Sequence, residues 1–219
     1  MVPAVQVVVE VAIVAVPILA AIVFHEVAHG AVANAFGDPT AARAGRLTLN
    51  PLPHIDPFGT VILPGLLLLM AHVFRVRAFV FGYARPVPVD FTRLGHPRRD
   101  AVLVALAGPA TNLVLATLSA FVLGILPARQ MATEGASLLR VAAFESLSIN
   151  CVLAVFNLLP VPPLDGGRVL TALLPTGMAR ALARVEGVGL VIVLLVVMNG
   201  NLVGRLVYPL MAFLLAMVG

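Results

Sequence analysis

The sequence predicts an all-α polytopic membrane protein with about five to six transmembrane helices. Three observations carry this expectation. The 219 residues are 61% hydrophobic and 11% charged, with a mean hydropathy of +1.07, far outside ordinary soluble domains. Four apolar stretches, 4–36, 101–126, 137–159 and 187–218, are each long enough to cross a hydrocarbon core of about 30 Å. The last is interrupted by Asn199-Gly200-Asn201, a turn-forming set that makes it a C-terminal helical hairpin. Residues 1–219 thus read as one integral membrane domain.

The first stretch has the hydropathy of a signal peptide but no Arg or Lys in Met1–Gln6, and it continues without a break, so it is read as retained. As a helix it is roughly 50 Å long and must tilt, protrude or break at Pro17. It stops at Gly37-Asp38-Pro39. Inside it lies His25-Glu26-Val27-Ala28-His29. At about 100° per residue the two histidines fall about 40° apart and Glu26 about 60° from His29, so the three share one face. A soluble helix carrying these letters is amphipathic, whereas here the surroundings are hydrocarbon-like. Ionisable groups at such depth cost about 3 kcal/mol or more each unless compensated. A bound metal is the simplest compensation; the bland alternative is a histidine pair satisfied by hydrogen bonds to neighbouring helices.

Residues 37–100 form a re-entrant or interfacial region. The apolar segment 58–74 is only about 17 residues and contains Pro64-Gly65. If it does not cross, 11 of the 14 arginines, among them Arg43, Arg46, Arg85 and Arg168, share one face, as the positive-inside rule favours for the cytoplasm. The N-terminus is then outside, and His25 and His29 sit about 12–18 Å below the cytoplasmic end of their helix. All basic residues are arginine and form no exposed helical stripe, so nucleic acid is not an expected partner. The Arg-rich segment 75–100 is read as an anchor to the lipid bilayer.

Stretches 101–126 and 137–159 form an out-and-back pair. Cys151, alone in the chain, excludes an internal disulfide and reads as a small hydrophobe. Pro160, Pro162 and Pro163 end the second helix, and Gly166-Gly167 let the chain double back. Irregular backbone at membrane depth is tolerated where it lines a polar cavity. A hydrolytic zinc site needs a third protein ligand and an open fourth position. Asp165 is the candidate. It also suits the N-cap of a helix starting near Arg168, but beside His25 and His29 the ligand reading is favoured.

Together these residues carry a resemblance. His-Glu-x-x-His at 25–29, Gly45–Gly59, Gly82–Val89, Ala107-Gly-Pro-Ala-Thr-Asn112 and Asn157–Gly167 resemble the site-2 protease family of intramembrane zinc metalloproteases, in its compact branch without a PDZ or CBS domain. The resemblance implies His25, His29 and Asp165 as ligands of one Zn2+, Glu26 as general base, and Asn157 close to the scissile peptide. It implies hydrolysis of transmembrane protein substrates in regulated intramembrane proteolysis, at a multi-pass bacterial inner membrane with the active site toward the cytoplasm. No position of the catalytic set is broken. The family is also similar in placing a re-entrant β-loop after the first catalytic helix, and Arg46-Leu-Thr-Leu-Asn50 alternates as a strand does, so sheet is expected over 43–50.

Two side chains have two readings each. Asn157 either stabilises an oxyanion or makes a helix–helix hydrogen bond. His54 is either a replaceable fourth ligand or a structural cap with Asp56; the latter is favoured because a permanent fourth ligand closes the site. Asn112 reads as interhelical glue, and His72 and His96 as interfacial residues without assigned function. Two rival functions are a metal transporter, which would spread ligands along a route, and a zinc-using scaffold, which would close its site with four ligands. The concentration of ligands at one depth beside a free Glu favours hydrolysis over both.

Overall fold

The computed structural model describes residues 3–74, 84–126, 134–184 and 200–218, and the single positions 187, 189 and 195. Helix α1, Pro3–Ala35, continues unbroken past Pro17. It ends where Gly37 takes φ +107°, a left-handed value that glycine adopts without steric cost. After it come α2 (Thr40–Arg43), a 3₁₀ turn at Leu52–His54, a π turn at Pro57–Ile62, and α3 (Leu63–Phe74). The chain then forms α4 (Pro97–Ile125), α5 (Glu134–Asn157), α6 (Asp165–Leu173), α7 (Thr176–Arg184) and α8 (Gly200–Ala216).

Among the described residues, three helices are long and apolar enough to cross a membrane: Val11–Ala35, Pro97–Ile125 and Ser137–Asn157. These match the first, second and third expected spans. Of the C-terminal hairpin only the second arm, α8, is described in full; its first arm and residues 75–83 lie outside the described residues.

Helix α4 is central, packing against α1, α5, α6 and α8. Lipid is as apolar as leucine, so helices associate there through close packing and interhelical hydrogen bonds. The sequence supplies both. Ala116 and Ala120 of α4 are buried with Ala143, Leu147 and Cys151 of α5, which confirms Cys151 as a packing residue. Asn112 Nδ2 donates to Asn150 Oδ1 at 2.8 Å, Ser119 Oγ to Ser146 Oγ at 2.8 Å, and Arg140 to the Leu126 carbonyl. The descending and ascending numbers show that α4 and α5 are antiparallel. Val114, Leu118 and Phe121 lie exposed on the outer surface of α4, as a lipid-facing side requires.

The expected sheet over 43–50 is not formed, and the described residues contain no strand. Residue 43 closes α2. Gly45 takes φ +65°, and Arg46 N–H donates back to the Ala41 carbonyl at 2.9 Å. Beyond it, Asn50 N–H bonds the Thr48 hydroxyl and Leu52 N–H bonds the Asn50 side chain, both at 3.1 Å. Short polar side chains thus satisfy donors that a ladder would have used, and no second strand is present among the described residues to compete for them.

Asp38 ties this region to α1. Its carboxylate is buried and accepts from the amides of Thr40 at 3.0 Å and Asp90 at 2.7 Å, and from the Thr40 hydroxyl. The segment 84–90 is thereby held beside the face of α1 that carries Glu26.

Candidate active site

The helical period of α1 sets His25 and His29 on one face, and that face meets α4 at a glycine. A Cβ on Gly108 would come within 2.6 Å of His25 Nε2 and closer still to His29 Nε2. Only hydrogen at this position leaves room for both rings. Each ring is aimed by its other nitrogen. His25 Nδ1–H donates to Asn112 Oδ1 at 2.5 Å, and His29 Nδ1–H donates to the Val104 carbonyl at 2.7 Å. With both Nδ1 atoms protonated, both Nε2 atoms present lone pairs, and these lie 3.0 Å apart.

The break after α5 delivers the third group. Leu159 and Val161 start a tight turn through the cis Pro162–Pro163 peptide, and α6 begins at Asp165. A Cβ on Gly167 would lie 2.6 Å from the Val161 carbonyl carbon, so glycine permits the doubling back that the sequence suggests. Asp165 does not cap its helix: the N-cap is Leu164, without a side-chain bond. Instead Asp165 Oδ2 sits 3.2 Å from Nε2 of His25 and 3.2 Å from Nε2 of His29. It is buried and receives no hydrogen bond. Its other oxygen lies 3.5 Å from Arg168 NH1.

Three electron-pair donors therefore converge in a nearly equilateral triangle, all within 4.8 Å of one another and all buried. Such an arrangement is repulsive unless a cation holds it together. Ligands about 2.0–2.1 Å from a tetrahedral ion lie about 3.3–3.4 Å apart, close to the separations found here, and two nitrogens with one carboxylate oxygen suit zinc. The residues present fit the ion.

Around the triangle is a cavity of about 140 Å³, lined also by Glu26, Pro86, Val87, Asn157 and Arg168. Glu26 Oε2 accepts from the Val87 amide at 2.7 Å. Val87 can approach because α1 carries Gly30, where a Cβ would lie 2.8 Å from Val87 and 2.7 Å from Leu47. Asn157, the last residue of α5, lines the same cavity and donates one amide hydrogen to the Leu153 carbonyl at 3.0 Å. His54 is elsewhere. It is buried with Nε2 2.9 Å from the Thr48 carbonyl, joins neither the converging group nor the cavity wall, and its own carbonyl accepts from Arg85 N–H at 2.9 Å.

The model for peptidase family M50 matches residues 128–199, which include Asn157 and Asp165. YwhC of Bacillus subtilis (strain 168), which bears a zinc metalloprotease name, is 42% identical over 172 residues, 78% of this chain and 73% of that protein. The chain belongs to peptidase family M50. This is the site-2 protease family that the motifs resemble. Rip2 of Mycolicibacterium smegmatis, also named a zinc metalloprotease, is 32% identical over 181 residues, 83% of this chain but 64% of its own length. MJ0611 of Methanocaldococcus jannaschii, named likewise, is 45% identical over 67 residues, 31% of each chain. No solved structure matches the chain.

Within the M50 chain, several groups of the site carry no readable sequence signal. The Val104 carbonyl and the Val87 amide are backbone atoms, which any residue provides. Asn150 and Arg168 are side chains whose relevance appears only through what they touch; for Arg168 the i,i+3 spacing from Asp165 was the available sign. Asn112 was legible as interhelical glue but not as the partner of a histidine.

Proposed function

We propose that this chain is an intramembrane zinc metalloendopeptidase that hydrolyses peptide bonds of transmembrane protein segments. The observation that carries the proposal is the buried triangle of His25, His29 and Asp165 with the Glu26 carboxylate on the same cavity wall. Family membership and the names of YwhC and Rip2 support it.

Zinc in the triangle would lower the pKa of water to about 7 and polarise a substrate carbonyl. The protein's own groups perform the remaining tasks. Glu26 takes the proton of the attacking water as the new C–O bond forms, then returns it to the amide nitrogen as the C–N bond breaks. The Val87 amide fixes one carboxylate oxygen and leaves the other for this transfer. Asn157 has spent one amide hydrogen on Leu153, and its second hydrogen is available to the developing oxyanion. His54 serves as a structural residue that joins the 48–54 turn to Arg85.

The N-terminus lies outside and residues 37–100 stay on the cytoplasmic side of a bacterial inner membrane, in this reading. Non-crossing of the 58–74 segment gathers 11 of the 14 arginines on one face, which the positive-inside rule favours. The chain then serves regulated intramembrane proteolysis of single-span substrates. The test compares zinc-loaded wild type with Glu26→Gln on a model single-span substrate in detergent. Cleavage by wild type alone is the expected result. Cleavage by neither, with zinc flux into vesicles intact, would establish transport instead.

A further inference from the structure

A second cavity, of about 360 Å³, adjoins the catalytic one at Pro86. Its walls are Arg46, Arg85, Ala44, Pro53, Pro86 and Pro88, so Pro86 lines both. Arg46 is 7% exposed, which is unusual for a guanidinium. Its terminal nitrogen donates to the Arg85 carbonyl at 2.6 Å, while its Nε is buried without a partner. No carboxylate forms an ion pair with Arg46 or Arg85 among the described residues; the paired arginines are Arg93, Arg99 and Arg168. The adjoining sequence 75–83 holds two more arginines and no acid. Burial, and after it the charge of Arg85, push the Arg46 guanidinium below its ordinary value, with the Glu26 charge acting the other way.

Two unneutralised cations at one small cavity, one of them desolvated, make a receptor for an anion. The position of the cavity identifies which anion. An extended peptide rises about 3.3 Å per residue, and the two cavities meet at a single proline. We infer that Arg46 and Arg85 form a specificity subsite for an acidic side chain of the substrate, within about three residues of the scissile bond. A carboxylate fits better than a phosphate here. Glu26 lies near enough to act on Arg46, and it repels a phosphate of about −1.5 to −2 more than a single negative charge. The subsite rests on the protease reading above.

The test uses a single-span substrate with Asp, Asn or Lys at each of three positions on either side of the cleaved bond, that bond being located by mass spectrometry. At one position wild type should prefer Asp to Asn by about tenfold or more in kcat/KM, the worth of a charge-assisted hydrogen bond. Arg85→Gln should erase most of that ratio, and Arg85→Glu should invert it toward Lys. Arg46→Gln, with zinc content measured to verify an intact site, should act as Arg85→Gln does. Equal Asp to Asn ratios in wild type and the variants would overturn the subsite. So would a neutral substrate whose turnover rises with phosphatidylglycerol in wild type but not in Arg85→Gln, since the occupant would then be a lipid phosphate. Failure of wild type to cleave any substrate, unlike either result, would remove the protease reading and the subsite with it.

Discussion

His25 Nδ1 lies 2.5 Å from Asn112 Oδ1, and the direction of that hydrogen bond is set two helices away. Asn150 Nδ2 donates to the Ser146 carbonyl at 2.8 Å, an oxygen that can only accept. Asn150 must therefore turn its Oδ1 toward Asn112, whose Nδ2 donates to it at 2.8 Å and to the Ala21 carbonyl at 3.3 Å. Asn112 is left with only Oδ1 for His25, which fixes the tautomer and points the Nε2 lone pair at Asp165. A backbone carbonyl of α5 thus orients His25 on α1. Asn112→Leu should weaken zinc binding by about 10- to 100-fold, measured by chelator competition, and Asn150→Leu should weaken it by less. Histidine ¹⁵N shifts should show loss of the single tautomer in both.

Gly108→Ala should be more damaging than its one methyl group suggests. The new Cβ falls on both imidazole rings, so zinc content should drop while the helix propensity of the position improves. Gly177→Ala, at an exposed position of α7 with nothing within 4 Å, is the matched control and should keep full zinc content. Metal analysis of the two purified variants decides the matter.

Separation of binding from chemistry is expected at α6 and α1. Asp165→Ala removes the one anionic member of the triangle and should abolish stoichiometric zinc. Glu26→Gln leaves the triangle intact, so zinc should be retained while turnover falls by about 100-fold or more. Val87→Pro deletes the amide that holds Glu26 and should lower kcat with zinc retained. Equal loss of zinc in all three would contradict these roles.

Acid sensitivity should trace in part to Asp38. Burial opposes its carboxylate, but the Thr40 hydroxyl and the amides of Asp90 and Thr40 outweigh burial and the nearby Asp90 charge, holding it below the usual range. A depressed carboxylate contributes stability above its unfolded value of about 3.9, and loses it as pH falls through the folded value. Asp38→Asn should therefore lower the Tm at pH 7 and flatten the fall in Tm below about pH 4, followed in detergent by thermal unfolding.

Much of the site could be read from the chain because its chemistry is local. A helix fixes which of His25, Glu26 and His29 share a face, and hydrocarbon on every side of them calls for a metal. Asp165 was legible for a weaker reason. Prolines and paired glycines marked a break at membrane depth, but whether Asp165 caps α6 or joins the two histidines needed the distance to α1. The strand expected at 43–50 failed because alternation reports a face, while a ladder needs a partner that this segment does not meet among the described residues. Thr48 and Asn50 bonded their own backbone instead.

The sequence by itself determined the class of the protein, three of its expected spans and which of His25, Glu26 and His29 share a helix face, since hydropathy and helical period act within one segment. Only the tertiary structure decided which backbone amide holds Glu26, which asparagines orient His25, and that two arginines 39 positions apart share a cavity at Pro86. Those outcomes depend on how closely helices and loops approach, and that closeness is set by glycines such as Gly30 and Gly108, whose importance lies in what packs against them.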